Sequence, residues 1–352
     1  MTTFIQLHIL TAYAPANLNR DDTGRPKTAI MGGVERLRVS SQSLKRAWRT
    51  SEVFESALSG HIGTRTRRLG SEIYKHLLAG GVAEKMALSA AGKIASQFGK
   101  LKADKNAKAE ENLNIEQLVH ISPDEYRHIN QLVETLIADK REPEVSELKL
   151  LRETASGVDI ALFGRMLASS PAFNVEAACQ VAHALGVSAV TVEEDFFTAV
   201  DDLNRKEDDA GSAHMGEKGF ASALFYSYIC ISRDLLLENL NGDKALVART
   251  LKALAETALT VSPTGNQNSF ASRAYASYAL VEMGRQQPRA LSVAFFNPVR
   301  GEDQQTQAIQ RLKEQRQKFE RAYGSREGER HYEMNVESGE GSLQELLEFV
   351  SQ

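Results

Sequence analysis

The chain has 352 residues, of which 42% are hydrophobic and 25% charged, and its formal net charge is -4 at pH 7. This composition is typical of a folded globular protein and excludes a disordered tail or a fibrous repeat. No apolar run approaches the roughly 20 residues that cross a bilayer, and the first residues lack the pattern of a secretory signal. We therefore expect a cytoplasmic protein with no membrane partner.

The chain begins with a strand followed by a long loop. Residues 3–11 alternate in polarity, which predicts a half-buried strand with Ile5, Leu7 and Ile9 on its apolar face. Residues 17–33 are rich in Asn, Asp, Gly and Pro and are predicted to form a loop. Long loops within compact domains are commonly functional.

Residues 38–49 follow this loop and have the period of an amphipathic helix. Its polar side, called the basic face below, consists of Gln42, Lys45, Arg46 and Arg49. Its apolar side consists of Leu44, Ala47 and Trp48. Ser40 or Ser41 can cap the N-terminus, whose unpaired N–H groups favour an anion. The helix is therefore a candidate site for binding phosphate groups.

Positive charge is concentrated around this helix. Residues 20–49 contain eight Lys or Arg but only three acids, on a chain that is slightly acidic as a whole. This asymmetry indicates a polyanion contact confined to one surface. A solvated basic helix is the alternative interpretation, and the glycine-containing basic loop before the helix favours the polyanion.

An apolar side chain near such cations can wedge between nucleic-acid bases. Phe163, Met166 and Met215 are candidates. Residues 158–163 could equally be a buried strand, whereas the tail that follows, Gly164 to Met166, is predicted to be harder to bury.

The remaining elements are predicted from pattern alone. Residues 60–185 are mostly helical, with a charged exposed stretch at 99–114. Strands at 194–200 and 222–231 flank a polar segment and predict a long hairpin. Further elements are a helix at 244–259, a strand at 277–283 and a charged surface helix at 304–322.

Catalytic chemistry is only weakly indicated. Asp21 and Asp22 could hold a divalent metal against a phosphate or could orient the neighbouring arginines. Asp201 and Asp202 with His214 resemble a partial metal site, but neighbouring strand residues point to opposite faces. The two cysteines, Cys179 and Cys230, are predicted to be buried and reduced. No metal or cofactor is expected, and the chain is not expected to be an enzyme.

Five motifs, in this order along the chain, resemble the CasC family, the backbone subunit of the type I-E CRISPR Cascade complex. They are Leu18 to Asp22, Ser40 to Ala47, Gly157 to Met166, Phe197 to Leu203 and Gly211 to Gly216. The resemblance is dense over residues 1–60 and 150–230 and looser elsewhere. Residues 204–210 depart from it by making one segment longer and more acidic.

The resemblance implies an α+β fold with a ferredoxin-like, RNA-recognition-type palm, a helical finger insertion and a β-hairpin thumb. The corresponding division is as follows: residues 1–59, palm, first part; 60–185, helical finger insertion; 186–231, thumb hairpin and palm strand; 232–352, palm, second part, and C-terminal helices.

The implied function is to bind CRISPR RNA while polymerising along the guide spacer, with a thumb that kinks the strand so that bases stay free to pair with target DNA. The implied RNA-binding residues are Arg20, Lys27, Ser40, Gln42, Lys45, Arg46, Arg49, Met166, His214 and Met215. The implied partners are CRISPR RNA, target DNA, further copies of the chain, Cascade subunits resembling CasA, CasB, CasD and CasE, and a separately recruited nuclease. Two alternatives stay open: a metal-dependent ribonuclease that uses Asp21 or Asp22, and a structural oligomer that encloses RNA by charge alone.

Overall fold

The computed structural model describes residues 2–152, 157–199, 214–324 and 328–352, and at 199, 214 and 215 it describes the backbone alone. The strands are β1 (Phe4–Ala16), β2 (Thr28–Met31), β3 (Val34–Val39), β4 (Thr64–Thr66), β5 (Val119–Ile121), β6 (Cys179–Val181), β7 (Ala184–Gly186), β8 (Glu193–Ala199), β9 (His214–Ser232), β10 (Tyr278–Gly284) and β11 (Arg330–Asn335). The helices are α1 (Ser41–Arg49), α2 (Glu52–Ala57), α3 (Leu69–Ala79), α4 (Glu84–Ser96), α5 (Pro123–Asp139), α6 (Val158–Phe163), α7 (Arg233–Asn239), α8 (Lys244–Thr260), α9 (Gln267–Phe270), α10 (Gln304–Tyr323) and α11 (Leu343–Ser351). Within the described residues, no helix combines the length and apolarity that crossing a membrane requires.

The chain forms two compact units. The sheet unit comprises Met1–Phe54, Val181–Ile231 and Leu251–Gln352, and the helical unit comprises Glu55–Gln180 and Ser232–Thr250. The sequence division put residues 232–250 with the palm, but the structure groups them with the helical unit because α7 packs against α6.

One large sheet organises the sheet unit. Its strands lie in the order β11, β10, β1, β9, β7, β3, β2, and β8 pairs with β9 off this path. The β1–β10, β10–β11, β7–β9, β3–β7 and β2–β3 pairs are all antiparallel. β2 and β11 therefore lie at opposite edges. The long strand β9 links the sheet to the hairpin that it forms with β8.

β1 differs from the half-buried strand that its alternation predicted. Side chains from Ile5 to Leu10 on both of its faces are buried, including the polar Gln6 and His8. β1 lies between β10 and β9 in the sheet, and its first half is covered on both faces, whereas Ala12, Ala14 and Pro15 near its end are exposed. Gln6 Oε1 and both ring nitrogens of His8 have hydrogen-bond partners within the core.

The predicted loop at 17–33 and the predicted helix at 38–49 also need correction. β2 occupies the end of the loop, and Arg38 and Val39 belong to β3, so that α1 begins only at Ser41. Gly32 and Gly33 have φ values of +61° and +78° and form the tight turn between β2 and β3. A Cβ atom on Gly32 would lie 1.7 Å from the carbonyl oxygen of Phe296. These turn glycines gave the segment the composition of a loop.

The core of the sheet unit packs the sheet against helix α10. Leu280 and Tyr278 of β10 and Ile309 and Leu312 of α10 belong to one buried cluster, with Phe319 packed at its edge. The predicted helix at 304–322 is confirmed, and its sparse apolar side is the side that faces this core.

A buried charge network crosses the same unit. Glu282 accepts hydrogen bonds from Arg289 (2.6 and 3.0 Å) and from Arg316 Nε (2.9 Å). His8 Nε2 lies 3.0 Å from Glu282 Oε2, and His8 Nδ1 lies 2.9 Å from the hydroxyl of Tyr226. Burial alone would raise the pKa of Glu282, but the hydrogen bonds from His8 and Arg289 hold it below its ordinary value. The carboxylate is therefore ionised in the core.

The helical unit has its own buried cluster, which α3, α4 and α5 contribute to. The carboxylate of Glu125 completes a capping box with Ser122 at the start of α5 and accepts a hydrogen bond from Arg165 at 2.7 Å. Arg165 is only 5% exposed, so the expectation that the tail from Gly164 to Met166 would be harder to bury is wrong for this residue, whereas Met166 is 79% exposed. The ion pair with Glu125 makes that burial possible. The rival prediction of a strand at 158–163 is also wrong, since Val158–Phe163 is α6.

Candidate nucleic-acid interface

α1 presents the basic face that the sequence predicted. Leu44, Ala47 and Trp48 are buried, whereas Gln42 and Arg46 are exposed and Lys45 and Arg49 are half-buried. The hydroxyl of Ser40 accepts a hydrogen bond from the N–H of Ser43 (3.3 Å), which caps the helix. The helix is fixed by its apolar side, so the cations on its other side are held on a rigid element.

The first loop lies directly against the start of α1. Asn19 Oδ1 accepts a hydrogen bond from the N–H of Ser40 (2.9 Å), and the N–H of Lys27 donates to the carbonyl of Asn19 (2.8 Å). A cleft of about 460 Å³ is lined by loop residues that include Arg20, by Ser43 of α1 and by Gly265. Arg20 and the N-terminal turn of α1 therefore border one concave surface.

Asp21 has a structural part within this loop. Its Oδ1 accepts hydrogen bonds from Thr23 N (2.9 Å), Thr23 Oγ1 (2.7 Å) and Arg25 N (3.0 Å). The hydrogen bond from the Thr23 side chain is the main reason why the pKa of Asp21 lies below its ordinary value. The carboxylate thus holds the backbone of the loop rather than an arginine side chain.

The hairpin formed by β8 and β9 is fastened to the first loop. Asn17 is fully buried, and its Nδ2 donates to the carbonyls of Gly24 in the loop (3.0 Å) and Gly219 in β9 (2.9 Å). Arg25 forms an exposed ion pair with Glu194 of β8 at 3.2 Å. The base of the hairpin therefore has a fixed position relative to the candidate phosphate site.

The predicted hairpin at 194–231 is confirmed in its described part. β8 and β9 pair in antiparallel register, with Phe197 opposite Gly216. A Cβ atom on Gly216 would lie 2.6 Å from the ring of Phe197, so a glycine is required for the ring to lie across β9. Phe196, the neighbour of Phe197 on β8, is 60% exposed.

Several predicted residues cannot be placed at the interface. The side chains of His214 and Met215 lie outside what the structure describes, as do Asp201, Asp202 and the acidic segment at 204–210. Met166 belongs to the helical unit, where it is 79% exposed, and Phe163 is half-buried at the end of α6. Cys179 and Cys230 are buried thiols, as predicted. Among the described residues, no group of three metal-ligating side chains forms a site.

The basic residues of 20–49 do not act alike. Arg36 is fully buried and donates to the carbonyls of Gly186 and Phe295, both at 3.0 Å, so it is part of the fold. Arg38 is half-buried, and its Nη1 donates to His183 Nδ1 at 2.9 Å. Burial and the positive charges of Arg38, Lys27 and Lys45 hold the pKa of His183 below its ordinary value.

Sequence reasoning missed His183 and the two loop asparagines. Asn17 and Asn19 contributed to the prediction only as residues typical of a loop, although their side-chain amides join the loop to β9 and to the start of α1. His183 gives no local signal, because Arg38 is 145 positions away along the chain. The excess of Lys and Arg over acids at 20–49 was the available clue to a positive surface. A count over that segment does not include His183, which lies far away along the chain.

The chain was compared with known families and structures. The model of the CT1975-like protein family matches residues 5–348. A chain of a CRISPR RNA-guided surveillance complex, pre-nicking, is 30% identical, with a TM-score of 0.81 and 99% of each chain covered. A chain of a second CRISPR RNA-guided surveillance complex, 23% identical over 99% of each chain, has a TM-score of 0.75 and shares the fold. No match was found among curated proteins.

These findings confirm the resemblance to the CasC family that five sequence motifs predicted. The family match spans almost the whole chain, including the helical insertion and the C-terminal third where the motifs were sparse. The chain belongs to the CT1975-like protein family.

Proposed function

We propose that the chain is the RNA-binding backbone subunit of a Cascade-type, CRISPR RNA-guided surveillance complex in the cytoplasm. The observation that carries the proposal is the basic face of α1, which is held on a buried apolar side and lies next to the Arg20 cleft. Family membership and the 30% identity to a surveillance-complex chain support the same function.

In this proposal the sheet unit is the ferredoxin-like, RNA-recognition-type palm, and the β8–β9 hairpin is the thumb. The palm residues Arg20, Lys27, Ser40, Gln42, Lys45, Arg46 and Arg49 bind guide-RNA phosphates. Backbone contacts of this kind fix the register of the strand and leave base edges unread, as pairing with target DNA requires. The chain polymerises along the guide and meets the other Cascade subunits, and the nuclease is a separate partner.

The decisive experiment replaces three cations of the basic face, Lys45, Arg46 and Arg49, by alanine and measures guide-RNA affinity as a function of salt. We expect weaker binding and a shallower salt dependence, by about 0.7 in log–log slope for each phosphate of the single strand that the variant no longer neutralises. The matched control replaces the exposed Arg65, Arg67 and Arg68 of the helical unit by alanine, which removes the same charge. Unchanged affinity and slope in the first variant would refute the assignment, and equal losses in both variants would indicate binding by net charge alone.

A second experiment tests the kink. Met166 is 79% exposed, so its replacement by alanine should leave folding intact. We expect the periodic chemical reactivity of guide nucleotides in the assembled complex to be lost. Retained periodicity would favour the structural oligomer that only encloses RNA.

We further propose that the subunit does not cut RNA. The hydrogen bonds that Asp21 accepts from its own loop support a structural part for that carboxylate. Magnesium-dependent cleavage of RNA that Asp21→Asn or Asp22→Asn abolishes would overturn this and establish the ribonuclease alternative.

A further inference from the structure

The contact between Arg38 and His183 lies beside the basic face and has no part in the site proposed above. His183 is exposed between β6 and β7, and β7 pairs with β3 such that Arg38 is opposite Leu185. Arg38 Nη1 is 2.9 Å from His183 Nδ1. The two side chains thus meet at the surface of the sheet unit, close to its β2 edge.

The chemistry of this contact fixes the protonation state of His183. An arginine guanidinium has only donors, so His183 Nδ1 must accept the hydrogen bond with its lone pair. The imidazole is therefore neutral and carries its proton on Nε2. A protonated imidazole has no acceptor, and it would direct a positive N–H toward the positive Arg38.

The charged groups that face His183 come from three elements and are all cations. They are Arg38 of β3, Lys27 of the first loop and Lys45 of α1, whose positive charges lower the pKa of His183. Glu35, the acid of β3, lies on the opposite strand face from Arg38 and accepts a hydrogen bond from Thr28 (2.6 Å). Several positive groups close together favour the binding of an anion.

We propose that Arg38 and His183 form a second phosphate site that continues the basic face, and that guide RNA binds there with uptake of one proton by His183. The proposal rests on the RNA-binding function proposed above. A phosphate oxygen between the two side chains accepts a hydrogen bond from the N–H of Arg38. Because Arg38 then no longer donates to His183 Nδ1, this nitrogen can take a proton from solvent. Both groups then donate to the anion.

The linkage has a definite sign. In the chain without RNA, the pKa of His183 is below its ordinary value near 6.5 because the ring is partly desolvated and faces three cations. A bound phosphate offsets that positive field and raises the pKa. Between the two values, binding takes up a proton, so RNA affinity rises as the pH falls. Above this window His183 stays neutral in both states and the affinity no longer depends on it.

The test measures the affinity for a uridine-rich single-stranded RNA at constant salt between about pH 8 and about pH 5.5, where uracil does not titrate. We expect the affinity of the unaltered chain to increase on acidification, by at most about tenfold per pH unit for one proton. His183→Asn keeps an acceptor for Arg38 but cannot titrate, and it should flatten the dependence. His331→Asn is the matched control, since His331 Nδ1 also accepts from an arginine, Arg316, at 3.2 Å. It should retain the dependence of the unaltered chain.

A direct readout is the pKa of the His183 imidazole, measured by NMR with and without the RNA. We expect RNA to raise it, which a merely structural histidine would not show. An unchanged pKa, or the same pH dependence in the unaltered chain and in His183→Asn, would overturn the inference. Failure of the proposed function has a different signature: the unaltered chain would then bind RNA at about pH 8 no better than the variant without Lys45, Arg46 and Arg49.

Discussion

The sheet unit contains the same kind of contact near its two opposite edges, with opposite consequences. Near the β2 edge, Arg38 donates to His183 among other cations. At the β11 edge, Arg316 donates to His331 but also pairs with Glu282 (2.9 Å) and Glu320 (2.7 Å). The charge of Arg316 is neutralised within the fold, whereas in the described chain no carboxylate pairs with Arg38. The comparison shows that the neighbours of an arginine decide whether its charge stabilises the fold or attracts a ligand.

The largest effect expected from this comparison is on Glu282, which neutralises the β11 side. Glu282→Ala leaves Arg289 and Arg316 without their shared carboxylate in a buried setting, so we expect a loss of about 3–5 kcal/mol in the free energy of unfolding. Denaturant titration measures it. The control is Glu194→Ala, which breaks the exposed pair with Arg25 and should cost at most about 1 kcal/mol. Equal losses in the two variants would contradict the assigned difference.

An effect of intermediate size on the free energy of unfolding is expected from a change of pH. It arises from His8, which belongs to the same charge network as Glu282. The Tyr226 hydroxyl accepts from Leu291 N (2.9 Å), so its proton is directed at His8 Nδ1, and His8 Nε2 donates to Glu282. Burial, opposed by Glu282, holds the pKa of His8 below its ordinary value.

The unfolded chain therefore takes up a proton near pH 6.5 that the folded chain does not, and stability falls as the pH drops below about 6.5. The slope that His8 contributes is at most about 1.4 kcal/mol per pH unit. His8→Gln removes the titrating group, so its unfolding free energy should depend less steeply on pH in that range. If the plots of unfolding free energy against pH are parallel for the unaltered chain and His8→Gln, the pKa of His8 is the same in the folded and unfolded states.

The smallest effect on stability is expected at the other edge. Arg38→Ala removes one cation from a cluster of like charges, the exposed hydrogen bond to His183 and a long 3.4 Å hydrogen bond to the carbonyl of Thr28. We expect the free energy of unfolding to change by no more than about 0.5 kcal/mol, while the salt dependence of RNA binding becomes shallower. A loss as large as that of Glu282→Ala would make Arg38 a structural residue and remove the contrast between the edges.

Much of the local structure followed from the sequence. The period of residues 38–49 predicted α1 and its buried Trp48, although the helix begins only at Ser41, and regular patterns predicted α8, α10, β10 and the pairing of β8 with β9. In α1, α8 and α10, the spacing of the apolar residues matches the side of the helix that is buried. Around the turn at Gly32 and Gly33, β2 was hidden in the predicted loop, and the end of β3 was assigned to the predicted helix.

The candidate site was predictable only in part. The cations of the basic face are neighbours on one helix, so helical spacing alone placed them together. The burial of Arg36 could not be foreseen, because its partners are the carbonyls of Gly186 and Phe295 in distant segments. The burial of Arg165 likewise depended on Glu125, 40 positions earlier in the chain.

The sequence by itself determined which segment is basic and that its cations share a helix face, since both depend on spacing within a few residues. The tertiary structure alone decided what surrounds each charge. Pairing of β3 with β7 brings His183 to Arg38, and packing of α10 against β10 brings Arg316 to Glu282. Electrostatic interactions depend on distances in space, and the folded chain sets those distances without regard to separation along the sequence.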